Sequence, residues 1–159
     1  MKTTLTFTLV TLLLFGSIGK LIGQNMTNPQ KSKIETQVDS IFRTMVKAGE
    51  IVDYDKLSLG VDDRHKAGFI VNNSYYTEYN TLIGVLKANQ GSITGQSISI
   101  QNKKITILSD RIVLLTASGV SQVDLSTGQS FNINFLWSFV YEKINNDWKV
   151  IQSHQSQAN

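Results

Sequence analysis

A chain of 159 residues, 41% apolar and 17% charged with a single proline, is long enough to bury a core, which excludes a chain disordered over most of its length. A net charge of +3 with no basic cluster beyond Lys103 and Lys104 gives no footprint for nucleic acid. The lack of cysteine excludes disulfide bracing and a thiol nucleophile.

The chain opens with Lys2, the apolar run LTFTLVTLLLF and then small residues, which reads as a cleaved export signal over residues 1–23. The run over residues 5–15 falls short of the roughly 20 residues of a spanning helix. Cleavage after Gly19 or after Gly23 fits equally, and no cysteine follows to carry a lipid. Losing Lys2 and Lys20 leaves 13 Lys and Arg against 12 Asp and Glu, a net charge of +1. The expected product is a periplasmic or secreted domain with no membrane attachment. It comprises a linker at 24–29, one domain over 30–156 and a tail at 157–159, and no internal repeat divides it.

Asn28 and Pro29 form a helix start, and Ile34, Val38, Ile41, Phe42, Met45 and Val46 recur at three- and four-residue spacing. The spacing predicts a helix over about 30–49 that Gly49 ends. A short second helix is expected in DYDKLSLG and a strand in KAGFIVNN. Helical spacing returns over 76–90 through Tyr76, Tyr79, Leu82, Ile83 and Leu86, with Gly91 as the C-terminal cap. From residue 94 the period becomes two, predicting strands near 98–107, 111–125, 129–144 and 147–156. Helices followed by an antiparallel meander make the class α+β, with helices on one face of a curved sheet.

Asn145 and Asn146 suit a two-residue hairpin turn, because asparagine tolerates positive φ. Pairing Ile144 with Asp147 then sets Tyr141 opposite Val150, Phe139 opposite Gln152 and Trp137 opposite His154. Phe131, Ile133, Phe135, Trp148 and Val150 share that face. Burial of large apolar side chains makes it the inner one. His154 is thereby expected to look inward beside Trp137. For the preceding hairpin, a two-residue turn at Thr127 and Gly128 brings Thr116, Ser118, Val120 and Gln122 inward. A three-residue loop at 126–128 brings Val113, Leu115, Ala117 and Gly119 inward instead. The first is preferred.

Two helical segments, then ILSDRIVLLTASG, then FNINFLWSFVYEKINNDWKVIQSHQS resemble the SnoaL-like branch of the nuclear transport factor 2-like superfamily. The likeness covers about residues 30–156. It rests on the aromatic strand, the tight turn and the closing Trp148, Val150, His154 and Ser156. It implies a cone: a strongly bent antiparallel sheet wrapped around N-terminal helices, with an apolar pocket between them. Function varies among such proteins while the fold stays.

The first functional expectation is a small-molecule-binding or scaffold domain with a pocket lined by Phe135, Trp137, Phe139, Ser118, Tyr54 and Tyr76, taking a small apolar ligand and no cofactor. The second is an enzyme acting on a hydrophobic carbonyl or polyketide-like compound with His154 as acid or base. Against it, a single histidine on an apolar face is more often structural, and the inner face lacks a carboxylate base unless Asp124 supplies one. The third is a homodimerising module joined through Leu136, Val140 and Ile151 on the outer face. No metal site is expected: His65 in DDRHK reads as a solvated loop. No Ser-containing elbow is present.

Overall fold

The computed structural model describes residues 26–158, so the expected signal at 1–23 lies outside the described residues. The first element, α1 (Asn28–Glu50), starts two residues ahead of the expected domain boundary. Its cap is Thr27, whose hydroxyl accepts from the Gln30 amide while the Gln30 side chain accepts from the Thr27 amide. The helix runs through Gly49 rather than stopping there. Ile34, Val38 and Phe42 form its buried stripe, as the spacing predicts.

The short α2 (Tyr54–Ser58) follows, capped by the Asp53 carboxylate, which accepts from the Lys56 amide. Next come β1 (Phe69–Val71) and β2 (Ser74–Tyr76), joined at Asn72, whose φ of 52° lies in the left-handed region. The helix expected over 76–90 is shorter, α3 (Tyr79–Ala88). Asn89 is its cap, and Gly91 lies in a 3-10 turn beyond it. Periodicity alone extended that helix because Tyr76 has helical spacing to Tyr79, yet Tyr76 pairs with Phe69 in a hairpin.

Four long strands then form the meander: β3 (Ile93–Ile107), β4 (Ile112–Leu125), β5 (Ser130–Ile144) and β6 (Asp147–Ala158). β6 reaches into the expected tail. The sheet order is β2-β1-β6-β5-β4-β3, and the sheet curves around α1 without closing. The expected all-antiparallel sheet needs one correction, since β1 runs parallel to β6. A hairpin returning from a distant part of the chain is free to dock in either direction on the open edge of β6.

The core lies between α1, α3 and the inner sheet face. Val38, Phe69, Val113, Leu115, Tyr141, Trp148 and Val150 are fully buried there. Lys103 of β3 pairs with Asp39 of α1, tying helix to sheet at the open edge. Among the described residues no helix is long and apolar enough to cross a membrane.

Candidate functional site

The β5–β6 hairpin turns on Asn145 and Asn146, with φ of 49° and 70°, and pairs Ile144 with Asp147 and Tyr141 with Val150 as expected. The register then slips. Val140 faces Gln152, so Ile151 is an extra residue in a β-bulge. Beyond it Phe139 faces Ser153, Ser138 faces His154, and Trp137 faces Gln155. One inserted residue exchanges the two faces for the rest of the strand.

The bulge has a cause on the far edge of β6. There the Val150 amide donates to the Gly60 carbonyl at 2.8 Å, and the Asp62 amide donates to the Val150 carbonyl at 2.9 Å. Three residues further on the partner is β1, with Phe69 opposite Ser153. Ile151 sits where one partner gives way to the other.

His154 is therefore corrected from the inner to the outer face, where it is exposed. It lines an open groove with Lys104, Thr116, Ser118, Ser138 and Ser156. The β4–β5 loop supplies a second correction. Leu125 and Gln129 close a three-residue loop at 126–128, with Gly128 at φ 83°. The preferred two-residue turn is thus overturned: Val113, Leu115 and Ala117 are buried on the inner face, and Ser118 faces outward. The extra residue is accommodated because glycine adopts a left-handed φ without strain.

The inner concavity holds a cavity of about 200 Å³. Phe42, Met45 and Val46 of α1 form one wall, and Ile98, Trp137 and Phe139 of the sheet form the other. Four polar side chains reach it: Tyr54, Gln96, Tyr141 and Gln155. Burial pushes the Tyr54 phenol up from its ordinary range, and burial followed by the negative charge of Asp39 pushes Tyr141 up much further. Both are neutral at physiological pH. Among the described residues the hydroxyl of Tyr141 has only the sulfur of Met45, at 4.0 Å, as an acceptor. Among the described residues no aspartate, glutamate, lysine, arginine or histidine lines this cavity. The arrangement can hold a neutral molecule and hydrogen-bond it, but it lacks a group to abstract a proton.

Of the expected lining residues, Trp137, Phe139 and Tyr54 are brought together here. Phe135 is buried and stacks on Trp137 at 3.9 Å between ring centroids, behind the cavity wall. Tyr76 packs against the core beside it without lining it. Gln96 and Gln155 escaped the sequence reading, and Tyr141, placed on the inner face, was not counted among the lining residues. The signal for Tyr141 was present in its pairing with Val150. Gln155 was hidden by the bulge. Asp124 accepts from the Ser130 hydroxyl at 2.5 Å and does not line the cavity. His65 meets Glu142 at 2.5 Å, fastening its loop to β5. Among the described residues no group of three potential metal ligands occurs.

No family model and no curated protein matches the sequence. Solved structures do match the fold. A candidate scytalone dehydratase from Novosphingobium aromaticivorans superposes with a TM-score of 0.76 at 9% identity, over 84% of this chain and 89% of that one. A nuclear transport factor 2-like superfamily protein from Salmonella enterica gives 0.73 at 11% identity, over 81% and 94%. A hexachlorocyclohexane dehydrochlorinase, LinA type 3, from Novosphingobium barchaimii gives 0.71 at 12% identity, over 84% and 92%. The chain has the nuclear transport factor 2-like fold, as the sequence resemblance implies.

Proposed function

We propose that this chain is a binding domain whose inner cavity takes a small, neutral, largely apolar molecule. The observation that carries the reading is the lining: among the described residues it has aromatic and aliphatic walls with four uncharged polar tips and no ionised group. An ion in such a site would lose its hydration without a counter-charge. An apolar void of about 150 Å³ is enough for benzene. The present cavity, near 200 Å³, suits one or two rings with a carbonyl or hydroxyl to meet the Gln96 or Gln155 amide. The LinA likeness is in keeping with this, since hexachlorocyclohexane is a neutral ring. The apolar leader over residues 1–23 supports export to the periplasm or medium.

The test is thermal unfolding with 2-naphthol and with 2-naphthoate. Saturating 2-naphthol, at about a hundred times its Kd, is expected to raise Tm by about 5 to 10 °C. The charged naphthoate is expected to give little, and Val46→Trp, which fills the cavity, to abolish the shift. Equal stabilisation by the two compounds, or an undiminished shift in the variant, would refute the reading.

A second reading concerns assembly. The outer sheet face leaves Leu136 53% exposed, with Leu114 and Val140 paired along the same face. This supports a sheet-to-sheet homodimer. Sedimentation equilibrium is expected to give a dimer that Leu136→Lys converts to monomer with the fold retained. A monomeric parent at all concentrations would dismiss it.

A further inference from the structure

A second concavity lies outside the inner cavity, at the opposite end of α1 from Gly49. It is a groove of about 510 Å³ between the start of α1, the β3–β4 turn and the β5–β6 turn. We propose that this groove binds a small ligand through a phosphate or carboxylate group.

The argument begins with charge. Lys33 of α1, Arg111 of the β3–β4 turn and Lys143 of β5 converge on the groove, and Asp110 is the one carboxylate that lines it. With Glu142, whose carboxylate lies 3.5 Å from Arg111, counted beside Asp110, three cations face two anions, a local excess of one positive charge. The chain after loss of residues 1–23 carries a net charge of only +1. The groove thus holds an excess equal to the net charge of that whole chain, and Lys33 and Lys143 direct it at a bound anion.

The cations are also available. Among the described residues neither Lys33 nor Lys143 has a carboxylate within ion-pair distance. Residues 1–25 contain no aspartate or glutamate, so that segment cannot supply one. Arg111 is held at the rim, its Nη2 donating to the Lys143 carbonyl at 3.4 Å and lying 3.5 Å from Glu142 Oε1. Both contacts use Nη2, so the Nε and Nη1 donors of Arg111 have no partner among the described residues.

Neutral donors complete the set. The buried Trp148 indole donates to Gln37 Oε1 at 3.2 Å, which occupies the amide oxygen and leaves the Gln37 NH2 as its free end. Asn145 and Asn146 add two side-chain amides from the turn. Phosphate and carboxylate oxygens accept from such a mixed set of cations and amides. Met26 and Ile34 give the groove an apolar floor, so the anion can carry a hydrocarbon portion. A longer polyanion would need a continued basic track and stacking rings, and the groove has neither.

The experiment follows backbone amide shifts of the purified chain during titration with inorganic phosphate at constant ionic strength. Saturable shifts confined to Lys33, Gln37, Lys143, Asn145 and Asn146 are expected. Lys33→Gln with Lys143→Gln is expected to weaken binding at least about tenfold. Lys56→Gln with Lys104→Gln removes the same charge elsewhere and is expected to leave binding unchanged. Both pairs lie on the surface, and far-UV circular dichroism verifies the fold. Cosedimentation with phosphatidylglycerol vesicles that the Lys33 and Lys143 changes abolish would assign the anion to a lipid headgroup. Phosphate binding without vesicle binding would assign it to a soluble ligand. Unsaturable shifts, or equal weakening by the control pair, would overturn the proposal.

Discussion

Replacing Gly119 by alanine is expected to destabilise the fold by about 3 kcal/mol or more. A β-carbon at this position would stand 2.0 Å from the Ser99 carbonyl oxygen and 2.7 Å from Phe135 Cζ. Neither neighbour can yield cheaply. Ser99 belongs to the backbone of β3, paired to β4 beside the irregularity between Ile100 and Asn102, so retreat means parting two strands. Phe135 is 3% exposed and held against Trp137. The measurement is a urea midpoint with an unchanged m-value. Gly84→Ala is the matched control. It lies in the interior of α3 with no atom within 4 Å of the added methyl group, and is expected to stabilise by about 0.5 to 1 kcal/mol. A Gly119→Ala protein within 1 kcal/mol of the parent would contradict the β3–β4 packing described here.

Deleting Ile151 is expected to cost about 2 kcal/mol or more, because the stretch of β6 between Val150, tied to Gly60 and Asp62, and Ser153, paired with Phe69, becomes one residue too short to keep both partners. On the β5 side the pairing of Val140 with Gln152, Phe139 with Ser153 and Trp137 with Gln155 is expected to persist, since removing the extra residue makes the alternation regular. Either the two backbone hydrogen bonds of Val150 or the parallel pairing of Phe69 with Ser153 and of Ile70 with His154 would be lost. The companion measurement is His154→Ala in the intact chain, expected within about 0.5 kcal/mol of the parent because the imidazole is exposed. A loss of several kcal/mol there would mean that the histidine belongs to the interior.

These two variants probe the features that separate the cavity from its sequence-based image. With a regular β6, the pocket would contain an imidazole and invite acid and base chemistry. With the bulge, Gln155 stands in that place and the pocket is uncharged. The change from a candidate catalytic site to a candidate binding site thus rests on one inserted residue.

The sequence by itself determined the elements whose causes lie within a few residues. The α1 stripe of Ile34, Val38 and Phe42 follows from helical spacing, and the turn at Asn145 and Asn146 follows from their tolerance of positive φ. Together these place Tyr141 opposite Val150 and the aromatic stripe of β5 inward, so that Phe42, Trp137, Phe139 and Tyr141 line the cavity. The pairing beyond Val150 was decided only by the tertiary structure. There β6 passes from the segment at 60–62 to β1, both contributed by chain far away in sequence, and the bulge absorbs the change of partner. Strand periodicity specifies which residues share a face only while pairing stays regular. An irregularity imposed from the opposite edge leaves no mark in the strand's own residues, and so the orientations of His154 and Gln155 emerged only from the folded sheet.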